Sequence, residues 1–250
     1  MVQFHTNLEM NRPRKMKKPN PSKQPWMMLY RVPALLCPVL LLLSNIAPAA
    51  ELPPSERAGL LARLRDLREK HPALKADFVE EKMSHLLNKP LSTEGTMEFS
   101  IPDKFRREVK GNNPSTTISN GKVLWIYYPK FKEAELYTLG QHSFFDDSIQ
   151  ALTAGFSFEH FDEFYNLKAF SENGGYRLIL TPRRSNLKRL VKELTIWLDA
   201  AYTPLKGYLI LPKGDEVTTT YNNVVRTQIP DATFDFTPPA DTHISKPLGK

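Results

Sequence analysis

The stretch from Ser119 to Pro129 carries large apolar side chains at both alternating sets of positions. Asn120-Gly121 predicts a tight hairpin turn before it, because Asn and Gly accept the positive φ that such turns need. The two faces of the strand that follows are formed by Val123, Trp125 and Tyr127 and by Leu124, Ile126 and Tyr128. Since both faces are apolar, each must be covered or must line an apolar cavity. We expect Trp125 to face a cavity.

Alternating apolar and polar positions predict further strands on both sides of this stretch. The predicted strands span residues 74–84, 92–100, 105–110, 116–119, 133–139, 166–171, 176–181, 191–199, 205–211, 217–227 and 233–236. No strand–helix–strand alternation occurs. The sequence therefore predicts a mainly β fold with some α, built as an unclosed, strongly curved antiparallel β barrel of about eleven strands under a helical lid.

The first element of the barrel domain is predicted to be an amphipathic helix. Ser55 can cap its N-terminus, and Leu60 and Leu64 belong to an apolar stripe at helical spacing. His71-Pro72 ends the helix, because the residue before a proline disfavours the helical conformation. One face of this helix should therefore lie on the sheet.

The segment Gln141 to Tyr165 differs from the strands around it. A short helix containing Leu152 is predicted to break at Gly155, and four phenylalanines follow within nine residues from Phe156 onward. We interpret the segment as a lid or plug over the barrel. Plain core packing of the aromatic residues is the alternative.

Residues 1–49 have the pattern of a cleaved signal peptide. A basic leader precedes the apolar run Val32 to Leu43, which is too short to span a bilayer, and Ala47-Pro48-Ala49 fits a small-residue cleavage site. We therefore predict that the mature chain begins at Ala50 and that residues 50–250 form a single domain. An uncleaved membrane anchor is the alternative.

Removal of this leader changes the charge of the protein. The whole chain has 34 Lys and Arg against 27 Asp and Glu, and the leader holds 7 of the basic residues but only Glu9 of the acidic ones. The mature chain, with 27 basic and 26 acidic residues, is nearly neutral, so its charge gives no support for nucleic-acid binding. Cys37, the only cysteine, leaves with the leader, which excludes a disulfide and a thiolate nucleophile.

Residues 50–250 contain no recognisable catalytic or metal-binding pattern. No two histidines are four residues apart, no serine lies in a G-x-S-x-G motif, and no glycine-rich phosphate loop is found. His160 with Asp162 and Glu163 comes nearest to a metal site, but consecutive acidic residues are more typical of a solvated face. We predict a protein that is not an enzyme and that uses no metal or cofactor.

What remains is the binding of an apolar ligand. Acyl chains gain roughly 0.8 kcal/mol for each methylene that is buried, so an apolar cavity can hold them without a specific polar contact. A basic tip at Arg183-Arg184 is either a solvated hairpin end or a surface for anionic headgroups or an acidic partner. The residues predicted to line the cavity are Leu60, Leu64, Phe78, Phe99, Ile101, Trp125, Tyr127, Leu152, Phe156, Leu180 and Trp197.

Three short motifs become informative when they are taken in order. They are S-N-G-K-V-L-W-I-Y at residues 119–127, L-T-P at 180–182 and F-D-F-T-P-P at 234–239. Their order and spacing resemble the LolA family of periplasmic outer-membrane lipoprotein carriers. The resemblance implies an apolar cavity for the acyl chains of triacylated lipoproteins, an inner-membrane ABC transporter as donor and an outer-membrane receptor as acceptor. We expect a periplasmic monomer.

Two positions near one rim depart from the pattern of that family. Ile101 stands where the family often has an arginine that helps to latch the lid, and an aliphatic side chain cannot form those charge-assisted bonds. Arg107 stands where many members have tryptophan. Phe105, the aromatic residue implicated in docking to the transporter, is retained. The alternatives are a divergent lipid or glycolipid carrier on the same scaffold, the outer-membrane receptor of this fold, a periplasmic hydrolase and a sensor domain.

Overall fold

The computed structural model describes residues 49–84, 86, 88–140 and 164–247, all of which belong to one compact unit, Asn45–Lys250. These residues form one 13-stranded sheet with a long helix, α1 (Pro54–Lys70), a single-turn helix, α2 (Ser185–Lys188), and a 3₁₀ helix, Asp231–Phe234. The strands are β1 (Ala50–Glu51), β2 (Ala73–Met83), β3 (Leu91–Ser100), β4 (Lys104–Val109), β5 (Ser115–Asn120), β6 (Val123–Tyr128), β7 (Glu133–Thr138), β8 (Tyr165–Glu172), β9 (Gly175–Pro182), β10 (Glu193–Leu198), β11 (Pro204–Ile210), β12 (Glu216–Arg226) and β13 (His243–Ser245).

The sheet is unclosed and almost entirely antiparallel. Its strand order is β1-β8-β9-β10-β11-β12-β2-β3-β4-β5-β6-β7-β13, and the two edge strands β1 and β13 do not pair with each other. Only β13 runs parallel to its neighbour, β7, among the described strands. The mainly β, unclosed architecture confirms the prediction, although the described sheet has thirteen strands rather than about eleven. The predicted lid, residues 141–165, lies outside the described residues except for its last two positions.

The last predicted strand, residues 233–236, was assigned wrongly. The 3₁₀ helix Asp231–Phe234 occupies this part of the chain, and the final strand, β13, follows later. Pro230 lies directly before this helix, and Pro238 lies shortly after it. Because a proline has no backbone N–H to donate, this segment is poorly suited to join a strand ladder.

The sheet is curved around α1. Leu60, Leu61 and Leu64 of the helix are buried with side chains of β8, β9 and β10. Leu64 also lines a cavity together with Phe99 of β3. Along a flat sheet β3 would lie roughly 24 Å from β9, at about 4.8 Å per strand. Only a curved sheet brings strands so far apart in its order to the same helix.

The two faces of the sheet are distinguished by α1. The face on which α1 packs, which includes Leu178 and Ile196, is called the helix face, and the opposite one the outer face. Residues that pair directly across neighbouring strands lie on the same face. The helix face can therefore be followed from Leu178 through β10, β11 and β12 to Phe78 of β2 and onward to β7. The strand residues discussed below can therefore each be assigned to the helix face or the outer face.

Two local predictions need correction. The helix begins at Pro54 with Pro53 as its N-cap, and Ser55 is already inside it. A proline fits the first helical position because its missing N–H would have no intrahelical partner there.

In the β5–β6 turn Gly121 has the predicted positive φ of 83°. Asn120 acts instead through its side chain, whose Oδ1 accepts hydrogen bonds from the backbone N–H groups of Lys122 and Val123 at 3.0 Å.

The C-terminal segment covers part of the outer face. Phe236 packs on Trp125 and Tyr127 of β6, with ring centroids 5.8 Å and 5.3 Å away. Phe234 is 1% exposed and lies in the 3₁₀ helix, which contacts β4 and β5. On the other side of β6, Leu124 is buried on the helix face. The C-terminal segment therefore covers the outer face of β6, whereas on the helix face Leu124 is buried and Ile126 is only partly buried.

We predict that Phe234→Ala lowers the free energy of unfolding by about 3–5 kcal/mol, because it leaves a cavity under the C-terminal segment. Urea unfolding followed by tryptophan fluorescence measures the change. Phe131→Ala is the matched control, since Phe131 is 63% exposed and its truncation should have little effect. A Phe234→Ala protein as stable as the wild type would show that the C-terminal cover is dispensable.

Candidate functional site

The residues predicted to line one cavity lie on both faces of the sheet. Leu60, Leu64 and Leu180 are buried together between α1 and the sheet. Phe78 and Phe99 lie on the helix face of β2 and β3, and Ile101 follows in the turn after β3. These six residues share one side of the sheet. Leu152 and Phe156 lie outside the described residues.

The expectation that Trp125 faces the cavity is wrong. Trp125 pairs with Ile118 of β5 in the register of the outer face, and Tyr127 lies on the same side of β6. Trp197 of β10 also points to the outer face, where its indole N–H donates to Glu172 Oε1 at 3.0 Å and the Lys206 ammonium lies 5.0 Å from its ring. These three aromatic residues therefore cannot line a cavity on the helix face.

A cavity of about 40 Å³ lies beside the C-terminal end of α1. Leu64, Phe99 and Ile101 line it together with the guanidinium-bearing side chains of Arg68 and Arg226. Sites for small-molecule ligands usually have volumes of about 300–1,000 Å³. Three of the predicted lining residues meet at this cavity, but its volume is too small for an acyl chain.

Hydrogen bonds to Tyr202, in the β10–β11 turn, connect one rim of this cavity to α1. Arg226 donates to the Tyr202 carbonyl oxygen at 2.8 Å, and burial lowers the pKa of Arg226. Arg63 of α1 donates to the Tyr202 hydroxyl at 3.0 Å, which lowers the pKa of Tyr202. Tyr202 has a positive φ of 62° and stacks on Tyr176. Ile101 contributes its backbone N–H, which donates to the Pro72 carbonyl oxygen at 2.9 Å.

The part of the helix face formed by β3–β7 differs from the part under α1. No buried residue of the core cluster under α1 comes from these five strands, as far as the chain is described. Met97, Phe105, Val109 and Ile126 lie there and are only partly buried, whereas Phe99 and Leu124 on the same half are buried. Phe105 lies within β4, in agreement with the predicted strand 105–110. Apolar side chains on this half are therefore available to contact a ligand.

A group of polar side chains interrupts this apolar surface, and the sequence analysis missed it. Arg107 of β4 donates from Nη2 to Glu80 Oε1 of β2 at 3.0 Å, and its guanidinium lies 4.5 Å from the centroid of the Phe78 ring. Thr219 of β12 donates from Oγ1 to Glu80 Oε2 at 3.4 Å. Burial, with a smaller contribution from Glu80, raises the pKa of the neighbouring Tyr221. The sequence contained one signal for this group. Leu74, Ala76 and Phe78 are spaced two residues apart along β2, and Glu80 is next in that spacing, so it must lie on the same face as they do.

Two further findings concern the described residues only. They contain no group of three or more His, Cys, Asp or Glu side chains placed to hold a metal ion. None of their helices has the length and apolar character needed to cross a membrane.

The close packing around Phe78 depends on Gly95 of β3. A Cβ atom at position 95 would overlap the Glu108 carbonyl oxygen and lie 2.9 Å from Phe78 Cε1. We predict that Gly95→Ala lowers the free energy of unfolding by about 1–3 kcal/mol through overpacking.

Gly59→Ala is the control for the same chemical change at an open position. Gly59 lies inside α1, and nothing is within 4 Å of its added Cβ. Alanine there should raise the free energy of unfolding by about 0.5–1 kcal/mol through helix propensity. Thermal unfolding by circular dichroism measures both changes, and shifts of the same sign would contradict the packing described here.

Comparisons with known proteins give the following similarities. A sequence profile described as "Outer membrane lipoprotein carrier protein LolA" matches residues 69–237. The "Outer-membrane lipoprotein carrier protein" of Dechloromonas aromatica (strain RCB) is 25% identical over 197 residues, which cover 78% of this chain and 91% of that protein.

Solved structures with similarity to the chain have low sequence identity. An uncharacterized conserved protein from Thermus thermophilus has a TM-score of 0.46 and 12% identity, covering 76% of this chain and 99% of that one. The LolA superfamily protein NE2245 from Nitrosomonas europaea has a TM-score of 0.41 and 11% identity, covering 72% of this chain and 97% of that one.

Proposed function

The chain belongs to the LolA family of outer membrane lipoprotein carrier proteins, and from this premise we propose that it carries lipoproteins by holding their acyl chains on the helix face of its sheet. The family is one of carrier proteins rather than enzymes. In this proposal the protein works as a monomer in the periplasm after removal of residues 1–49. It takes triacylated lipoproteins from an inner-membrane ABC transporter and passes them to an outer-membrane receptor.

The observation that best supports the proposal is the group of partly buried apolar side chains on the helix face of β3–β7. Leu60, Leu64 and Leu180 are at most 4% exposed under α1, as expected for closed core. Met97 and Phe105, on the half formed by β3–β7, are apolar but only partly buried. Partly buried apolar surface that is rigidly presented by strands suits a ligand that gains its affinity from apolar burial.

A divergent lipid or glycolipid carrier on the same scaffold is the second candidate. Ile101 favours it, because this residue replaces the arginine that the family resemblance places in the lid latch. Arg107 favours it as well, because it puts a guanidinium on the face that also carries the apolar side chains of Met97 and Phe105. The two candidates differ in cargo and share the binding surface.

The cargo decides between these candidates. We predict that the purified protein removes triacylated lipoproteins from vesicles that contain the transporter and ATP. Mass spectrometry of the supernatant identifies what is carried, and vesicles without ATP are the control. Recovery of phospholipid or glycolipid without lipoprotein would favour the second candidate, and recovery of no lipidated molecule would contradict both.

Phe105 tests the binding surface itself. The resemblance implies a docking role for Phe105, and its position on the helix face supports a second proposed role in contacting acyl chains. We predict that Phe105→Glu weakens binding of a fluorescent fatty-acyl probe by about tenfold or more, because a carboxylate on this face must be desolvated against the chain. The titration is done without transporter.

Val79→Glu is the matched control, because Val79 lies on the outer face of β2 and is 38% exposed. It should bind the probe like the wild type, and circular dichroism should show that both variants are folded. If Phe105→Glu bound the probe normally but failed in transporter-dependent loading, Phe105 would serve in docking alone. Normal behaviour in both assays would exclude both roles.

A further inference from the structure

We propose that Arg107 and Glu80, with Phe78 and Thr219, form a headgroup site on the helix face that selects amphiphiles with an anionic headgroup. These four residues are called the Arg107 site. The inference rests on the proposed function, because it assumes that acyl chains lie on the helix face. It adds a polar specificity that an apolar surface by itself cannot supply.

The register of the sheet places the Arg107 site on the helix face, where apolar Met97 and polar Thr117 and Thr93 are its cross-strand neighbours. Arg107 pairs with Met97 of β3, and Glu80 pairs with Thr219 of β12, so both charges lie on the helix face. The side chains of Arg107 and Glu80 are 28% and 29% exposed. They are shielded enough to make their hydrogen bonds strong and exposed enough for a ligand to reach them.

The guanidinium of Arg107 is positioned but not saturated. It has five N–H donors. Nη2 donates to Glu80 Oε1, the Phe78 ring supports the guanidinium at 4.5 Å, and no other hydrogen bond from Arg107 is found within the described part of the chain. An arginine that is held in one orientation with donors to spare can bind a carboxylate or phosphate group.

Both carboxylate oxygens of Glu80 already accept a hydrogen bond, and Arg107 neutralises its charge. Its Oε1 accepts from Arg107, and its Oε2 accepts from Thr219. The site therefore offers mainly donors to a ligand, and the Glu80 charge opposes an incoming anion while it orients Arg107. A salt bridge on such a face is weak support for stability, because its desolvation offsets the attraction between the charges.

The ligand class follows from these neighbours. Acyl chains contact the apolar side chains around the site, and an anionic oxygen-bearing group on the same molecule accepts hydrogen bonds from Arg107. A fatty-acid carboxylate and a phospholipid phosphodiester both have this chemistry. Amphiphiles of equal chain length with anionic and neutral headgroups therefore separate the effect of the headgroup from that of the chain.

The experiment uses the purified protein and three amphiphiles that share the palmitoyl chain. Palmitate supplies a carboxylate, lysophosphatidylglycerol supplies a phosphodiester, and monopalmitoylglycerol is the neutral reference. Each displaces a neutral fluorescent acyl probe in a titration. We expect the wild type to bind at least one anionic amphiphile about tenfold more tightly than the neutral one, the effect of one charge-assisted interaction.

Three variants test the assignment. Arg107→Gln should lose the preference for the anionic headgroup while keeping its affinity for the neutral amphiphile. Arg106→Gln is the matched control and should keep the preference, because Arg106 lies on the outer face and donates to Glu108 Oε1 from Nε at 2.7 Å. Glu80→Gln should strengthen the preference, because it removes the opposing charge but keeps an oxygen that can accept from Arg107, while its amide N–H can donate to Thr219 Oγ1.

Several results would overturn the inference. Equal wild-type affinity for anionic and neutral amphiphiles would do so while leaving the proposed function intact. A preference that survives in Arg107→Gln, or one that weakens in Glu80→Gln, would also overturn it. Failure of the wild type to bind any of the three amphiphiles, or the probe, would contradict the proposed function itself. Affinity for the neutral amphiphile reports whether each variant retains its binding surface.

Discussion

Large apolar side chains occupy both faces of a single curved sheet, so the fold depends on two separate covers. Helix α1 supplies one of them, because Leu64 and its neighbours bury the helix face of β8, β9 and β10. The C-terminal segment supplies the other, because Phe234 and Phe236 lie on the outer face around β4, β5 and β6. The two covers come from opposite ends of the domain sequence, and Met97, Phe105 and Ile126 on the helix face of β3–β7 are only partly buried.

Alternation located the strands but could not orient β6. Where a strand carries polar side chains on one face, the polar set shows which side meets water, and the register is fixed by that contrast. Strand β6 has no such contrast, since Leu124 and Trp125 are both large and apolar. The contact that decides its orientation is made by Phe236, which is distant in sequence. The prediction for Trp125 therefore required information that local patterning does not contain.

The candidate site was predictable in part. Leu64, Phe99 and Ile101 do meet at one cavity, because the helix stripe and the β2–β3 hairpin both followed their apolar periodicities. Trp197 was misplaced because its size suggested a cavity wall, although a hydrogen bond to Glu172 holds it on the outer face. Glu80 could have been assigned to the helix face from Phe78 by counting two residues onward. Its partner Arg107 could not, because their pairing depends on the order of β2, β3 and β4.

A carrier must bind its cargo firmly and still release it, and the chemistry of the helix face affects both requirements. Apolar contact with acyl chains grows with buried area, and it gives little preference for one chain orientation over another. A guanidinium at one fixed point, stacked on Phe78 and paired with Glu80, adds an interaction that depends on direction and charge. In the proposed site Arg107 stays paired with Glu80 after an anionic headgroup departs, because the headgroup uses other N–H donors of the guanidinium. This reduces the cost of release, so a charge pair on a binding face can favour both correct placement and transfer.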